Sequence, residues 1–247
     1  VRVKRSLLLL LALACIVGFV RLGFWQLHRA DYKEALLAHS RQIVAARKAE
    51  PLAAVADADA PVSDGYVYTW VAGSGHFLPL PAVLLDNQSR DERAGVRVYR
   101  VFQPDGARRA VLVELGWREL PPDRKLPTEP PLQGPWRFDG LLAPPPAAGI
   151  SLGENAIQRQ PDGVLLLMRL DTAEVAKALA LANGLAPRVL RLNPENKLGY
   201  ARDLDVMAGA LPPEQHRGYA VQWFAMAIGL LVATIAVARS KPRQKNA

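Results

Sequence analysis

Apolar positions along this chain follow two different patterns. At the two ends they are nearly continuous: from Ser6 to Val20, then past Arg21 through Leu22, Gly23, Phe24 and Trp25, and again from Ala220 to Ala238. A helix rises 1.5 Å per residue, so about 20 apolar residues cross the hydrocarbon core of a bilayer. Both runs are therefore predicted to be transmembrane helices, over 6–25 and 219–238. Between them the apolar residues come in short β-branched and aromatic bursts separated by Gly, Pro and Asp: "YVYTWVAGSGHF", "AVLLDNQ", "VRVYRVF", "AVLVELGW", "WRFDGLL", "GVLLLMRL" and "RVLRL". These read as strands. The proline-rich stretches 121–135 and 144–146 read as loops.

Two helices are predicted outside the lipid. Residues 26–50 place Leu36, Leu37, Ile43 and Val44 on one side and should extend the first span. A linker rich in Ala, Asp and Pro follows over 51–65. Later, Asp171 can cap a helix, with Glu174 three residues on; "AEVAKALALA" fills it and Asn183-Gly184 stops it. The predicted fold class is an α+β membrane protein. Two transmembrane helices, N- and C-terminal, anchor one antiparallel β-rich, barrel-like periplasmic domain (26–218) with an added helix.

Charge fixes the expected orientation. Of the 31 lysines and arginines, seven flank the two runs: Arg2, Lys4 and Arg5 before the first, and Arg239, Lys241, Arg243 and Lys245 after the second. Positive flanks stay in the cytoplasm, so residues 1–5 and the tail 239–247 are expected inside and the domain outside, at a bacterial inner (plasma) membrane. The remaining 24 basic residues face 23 acidic ones. No domain-wide basic surface is left for nucleic acid. The lone cysteine, Cys15, lies in the first span, so the outer domain has no disulfide and must stand on its core. The first run resembles a signal peptide, but it stays apolar beyond Cys15, with no polar start to a mature chain. It is expected to be a retained anchor.

Motifs for catalysis are missing or out of context. "GISLG" (Gly149 to Gly153) has the letters of a nucleophile elbow at Ser151, but that motif needs a strand before it and a helix after it, and here prolines precede it. No zincin, C-x-x-C, P-loop or dinucleotide fingerprint occurs. No enzyme is predicted.

Unusual residues concentrate instead at the outer membrane boundary. The chain leaves the bilayer through "GFWQLHR" (Gly23 to Arg29) and returns through "HRGYAVQWF" (His216 to Phe224). His216, Tyr219, Ala220 and Trp223 recur at spacings of three and four, with Gln222 beside them, which puts them along one helix face. The mirrored words should set Trp25, Gln26, Gln222 and Trp223 in one layer. The small residues Ala14, Gly18, Ala225, Gly229 and Ala233 could supply the contacts between the helices. An aromatic belt with snorkelling arginines explains the Trp and Tyr residues without any ligand. It explains His216 less well: an isolated interfacial histidine is usually just polar edge, and the alternative is a neutral imidazole that holds a metal, a haem iron being the natural candidate, with Arg21, Arg29 and Arg217 able to pair with propionate carboxylates.

The same segments, with "LGFWQLHRADYK", "LLDNQ", "GVRVY", "VLVELGW" and "DGLL", resemble the surfeit locus protein 1 family from Leu22 to Phe224. Two departures stand out. Glu114-Leu115-Gly116-Trp117 replaces a common Asn-Arg-Gly-Trp, and "MRLD" at 168–171 has no tryptophan before its aspartate. The resemblance implies an assembly factor for haem-copper cytochrome c oxidase that helps deliver haem a to the core subunit or stabilise it there. It also implies the core subunit and haem a synthase as partners, and His216 as the haem ligand. The alternative is a cofactor-free membrane scaffold that holds an oxidase assembly intermediate.

Overall fold

The computed structural model describes residues 2–58, 68–146, 157–206 and 211–240. The chain divides into two compact units, Val1–Leu37 with Ala210–Ala247, and Ala38–Gly209. The first unit is a helix pair. α1 (Arg2–Ala46) is 45 residues long and α4 (Pro213–Arg239) 27, and each is long and apolar enough to cross a membrane. Pro213 starts α4, where a missing N–H costs nothing.

The second unit is a mixed sheet. Its elements are β1 (Glu50–Pro51), α2 (Leu52–Ala56), β2 (Thr69–Phe77), β3 (Val83–Arg90), β4 (Arg93–Pro104), β5 (Ala110–Glu119), β6 (Pro135–Ala143), β7 (Gln158–Arg159), β8 (Leu165–Leu167), α3 (Thr172–Ala178) and β9 (Leu185–Leu192). The strand order is β1-β2-β6-β9-β5-β4-β3-β8-β7, and the end of β2 also pairs with β4 at Gly75–Pro104, His76–Gln103 and Phe77–Phe102. Each of the seven strands read from the sequence is present.

The expected antiparallel sheet is corrected on one point: β1–β2, β3–β8 and β5–β9 pair in parallel. β5 and β9 are buried along most of their lengths. Strands covered on both faces read as near-continuous apolar runs, as "AVLV" at the start of β5 does, and that is the habit of parallel strands inside a sheet.

Three further details depart from the sequence reading. α1 ends at Ala46, where Arg47 takes a left-handed φ of 46°. The expected linker opens with α2, whose Leu52 is 1% exposed and packs in the main core cluster beside Gly73, so residues 52–56 are structural. The cap on α3 is as expected: Asp171 Oδ1 accepts from the backbone of Ala173 and Glu174 at 2.9 and 3.1 Å. However, the helix ends at Ala178 rather than near Asn183. Ala180 adopts a φ of 54°, and Leu181 N–H reaches back to the Ala176 carbonyl, closing the last turn.

The core lies in two large apolar clusters and a smaller one in which Ile43 and Val44 of α1 pack against Trp70, Leu141 and Ala143. Between them runs a buried charge cluster. Glu114, with its side chain 4% exposed, receives Arg97 at 2.9 Å and Arg191 at 3.5 Å, and the Tyr99 hydroxyl donates to it at 3.4 Å. Burial, then the Glu114 charge, pushes the Tyr99 phenol well above its ordinary range. One residue on, Leu115 is the extra residue of a bulge between β4 and β5, and Gly116 follows at a φ of 123°. A Cβ there would stand 2.7 Å from the Tyr200 carbonyl oxygen, so the position needs glycine. After β9 the chain has little regular structure. The Arg202 guanidinium gathers it by donating to the carbonyls of Leu115, Asn193, Asn196, Leu198 and Tyr200.

Candidate functional site

The covered positions of the helix pair follow a heptad. Along α1, Ile16, Phe19, Gly23, Gln26, Ala30 and Lys33 are buried or half-buried, and along α4 so are His216, Ala220, Trp223, Ala227, Leu230 and Thr234. Alternating steps of three and four average 3.5 residues, the spacing of a left-handed seam in which side chains of one helix fill gaps in the other. The helices run antiparallel: Phe19 meets Trp223 at 5.7 Å between ring centroids, Gln26 meets His216, and Lys33 donates through Nζ to the Leu211 carbonyl. Close approach comes from Gly23, under the ring of Phe224, with Ala30, Ala220 and Ala227 also buried. The small residues expected to make it do not. Ala14, Ala225, Gly229 and Ala233 are exposed, and nothing lies within 4 Å of a Cβ built at Gly18 or Gly229.

Two polar side chains occupy this seam side by side. His216 is 6% exposed, and its Nδ1 is 2.6 Å from Gln26 Oε1. Its other ring nitrogen, Nε2, is buried with no hydrogen-bond partner. A buried polar atom left without a partner costs about 1–3 kcal/mol, so it calls for a reason. Lys33 and Arg29 place positive charge within electrostatic reach of the ring. Lys33 is itself buried, and the Arg29 guanidinium lies over the Tyr32 ring at 5.3 Å.

The remaining residues of the expected site lie elsewhere. Trp25 is 56% exposed and Tyr219 40%, and Arg21 and Gln222 also face outward. Trp223 is in the seam two layers deeper, against Phe19. Arg217 is paired with Glu34. Gln26 is thus level with His216, not with Gln222 six residues further along α4, a displacement of about 9 Å along the axis. The mirrored letters do not make one layer. Lys33, Glu34, Phe19 and Phe224 were not read as neighbours of the site. The signal for Phe19 and Lys33 was present in the 19-23-26-30-33 spacing.

Chemically, the arrangement offers one imidazole nitrogen in an apolar seam with cations nearby. Among the described residues no group of three or more His, Cys, Asp or Glu could hold a metal ion. The unpartnered Nε2 of His216 has the chemistry of a single imidazole ligand. Ser151 lies outside the described residues.

A family model described as the SURF1 family matches residues 13–228. The chain belongs to the SURF1 family. Its match starts in α1 and ends in α4, so the SURF1 region takes in the seam, the His216–Gln26 pair and the whole mixed sheet. A SURF1-like protein of Rickettsia bellii (strain RML369-C) is 26% identical over 225 residues, covering 90% of this chain and 87% of the relative.

Proposed function

We propose that this SURF1-family chain is a non-enzymatic, membrane-anchored assembly factor for haem-copper cytochrome c oxidase, and that it holds haem a through His216 on behalf of the oxidase core subunit. The observation that carries the reading is the buried Nε2 of His216, partnerless in an apolar seam. When bound, haem a would supply an iron that a neutral imidazole could ligate. The chain's own groups would do the rest. His216 Nε2 would provide the ligand, the Phe19–Trp223 and Phe24–Phe224 ring pairs would keep water away, and Arg29 and Lys33 would offer positive charge to carboxylates. In this reading both termini are cytoplasmic and the sheet domain, barrel-like through its β2–β4 pairing, is periplasmic, where it docks on the core subunit and meets haem a synthase.

The test is purification from a host that makes haem a. Wild type is expected to carry haem with an imidazole-ligated spectrum and His216→Ala to lose it. An unchanged spectrum in His216→Ala rejects the ligand role.

A second reading draws on the heptad itself. A buried polar pair in a coiled-coil seam fixes register, so Gln26 and His216 could serve a cofactor-free scaffold that captures an oxidase intermediate. That version predicts haem-free wild-type protein, and partner capture that survives His216→Asn but fails when the sheet surface is altered. Stoichiometric haem in the wild type rejects it.

A further inference from the structure

We infer that Gln26 is the positioning residue of His216: its amide oxygen holds the imidazole proton on Nδ1 and so presents Nε2, unprotonated, as the ligating atom. The inference deepens the proposed haem reading and rests on it only for what Nε2 then binds.

The argument starts from the hydrogen bond. In a neutral imidazole one nitrogen carries the proton and the other the lone pair, and the partner of one nitrogen decides which. Gln26 Oε1, 2.6 Å from Nδ1, is an acceptor only, so the proton belongs on Nδ1. The opposite tautomer would place an N–H at Nε2, where no acceptor lies within reach, and would set two lone pairs against each other at Nδ1. An isolated histidine side chain in water prefers its proton on Nε2. The seam therefore reverses the intrinsic preference, and a single amide on the facing helix does it.

The same bond also fixes the ring's orientation. His216 enters the seam from α4 and Gln26 from α1, so the hydrogen bond ties the imidazole's rotation to the register of the two helices. This is the arrangement by which metal-bound histidines are usually oriented, with the non-ligating N–H given to a carbonyl or carboxylate; losing such a partner commonly costs 10- to 100-fold in affinity.

The experiment uses the full chain in lipid nanodiscs, labelled with 15N in histidine, without haem and at mildly alkaline pH. The His216 signals are identified by their loss in His216→Ala. Wild type is expected to show a protonated Nδ1 and a lone-pair Nε2. Gln26→Ala should move His216 toward the Nε2–H form. Gln26→Glu, whose carboxylate also accepts, should keep the wild-type pattern. Ferric haem is then titrated into each protein. Affinity should fall roughly 10-fold or more in Gln26→Ala and be largely retained in Gln26→Glu. The Gln26→Glu haem should also have a more negative midpoint potential, because a carboxylate partner makes the imidazole a stronger donor. If Gln26→Ala keeps the wild-type tautomer, or Gln26→Glu loses it, the inference is overturned. If the tautomers behave as stated but wild type takes up no haem, the role of Gln26 stands and the axial-ligand reading falls.

Discussion

Gly23 lies directly beneath the ring of Phe224, so close that a Cβ on the glycine would come within 2.5 Å of Cε1. Phe24 meets the same ring edge-on at 5.3 Å. One layer toward the outer boundary is Gln26, whose bond to His216 depends on the helix separation that this contact sets. Gly23→Leu should therefore push the helices apart and break that bond. With spin labels at the exposed Leu22 and Val221 on a Cys15→Ser background, the label distance is expected to lengthen and broaden relative to Gly23 protein. An unchanged distribution would show that Phe224 simply swings away.

The buried carboxylate of Glu114 faces two guanidinium groups, from Arg97 and Arg191, and a hydroxyl from Tyr99. Removing one member of such a cluster leaves its partners charged and desolvated, at a cost of about 3–5 kcal/mol. Glu114→Ala is expected to lower the urea midpoint of the sheet unit by a matching amount, followed by tryptophan fluorescence. The adjacent Arg93–Glu119 pair is exposed, so Glu119→Ala should change stability by about 1 kcal/mol or less.

Gly116 and Gly106 both have positive φ, but their surroundings differ. Nothing lies within 4 Å of a Cβ at Gly106, whereas at Gly116 it would strike the carbonyls of Tyr200 and Ala201. Gly106→Ala should cost only the left-handed penalty, about 1–2 kcal/mol. Gly116→Ala adds a backbone collision and should cost clearly more in the same denaturation assay.

Acid should weaken the sheet unit through two surface carboxylates. The backbone N–H groups of Arg108 and Arg109 hold Asp57 below its ordinary range, and the hydrogen bond and charge of Arg47 do the same for Glu195. A carboxylate with a depressed folded value stabilises above its unfolded value and loses that contribution as pH falls through the folded one. Asp57→Ala and Glu195→Gln should each lie below wild type in urea midpoint at pH 7. The gap is expected to close as pH drops below about 4. A gap that persists at pH 2.5 would assign the effect to packing instead.

The sequence was most informative where short-range pattern decides structure. Bursts such as "AVLVELGW", bounded by Gly and Pro, marked every main strand, and Asp171 with Glu174 marked the start of α3. The end of α3 was hidden because the stop is a left-handed alanine, Ala180, a residue that ordinarily continues a helix. The parallel partnership of β9 with β5 is a long-range pairing, and no local spacing encodes it. At the candidate site, His216 stood out as a histidine at the mouth of an apolar run. Gln26 was set level with Gln222 and Trp223 instead of with His216, because the repeated letters of "FWQ" and "QWF" were more conspicuous than the heptad steps through Phe19, Gly23 and Gln26. Lys33 was hidden for a simpler reason: an ammonium is usually solvated, and only the backbone carbonyl of Leu211 makes its burial tolerable.

The long strand-free stretch that follows β9 is fastened by one planar cation with five oxygen partners. Arg191 ties its far end separately, donating to the carbonyls of Asp203 and Asp205 at 3.1 and 2.8 Å. With its ties divided between two arginines, the segment should yield in steps: losing Arg202 would loosen residues 193–200 and leave the end at 203–205 moored by Arg191.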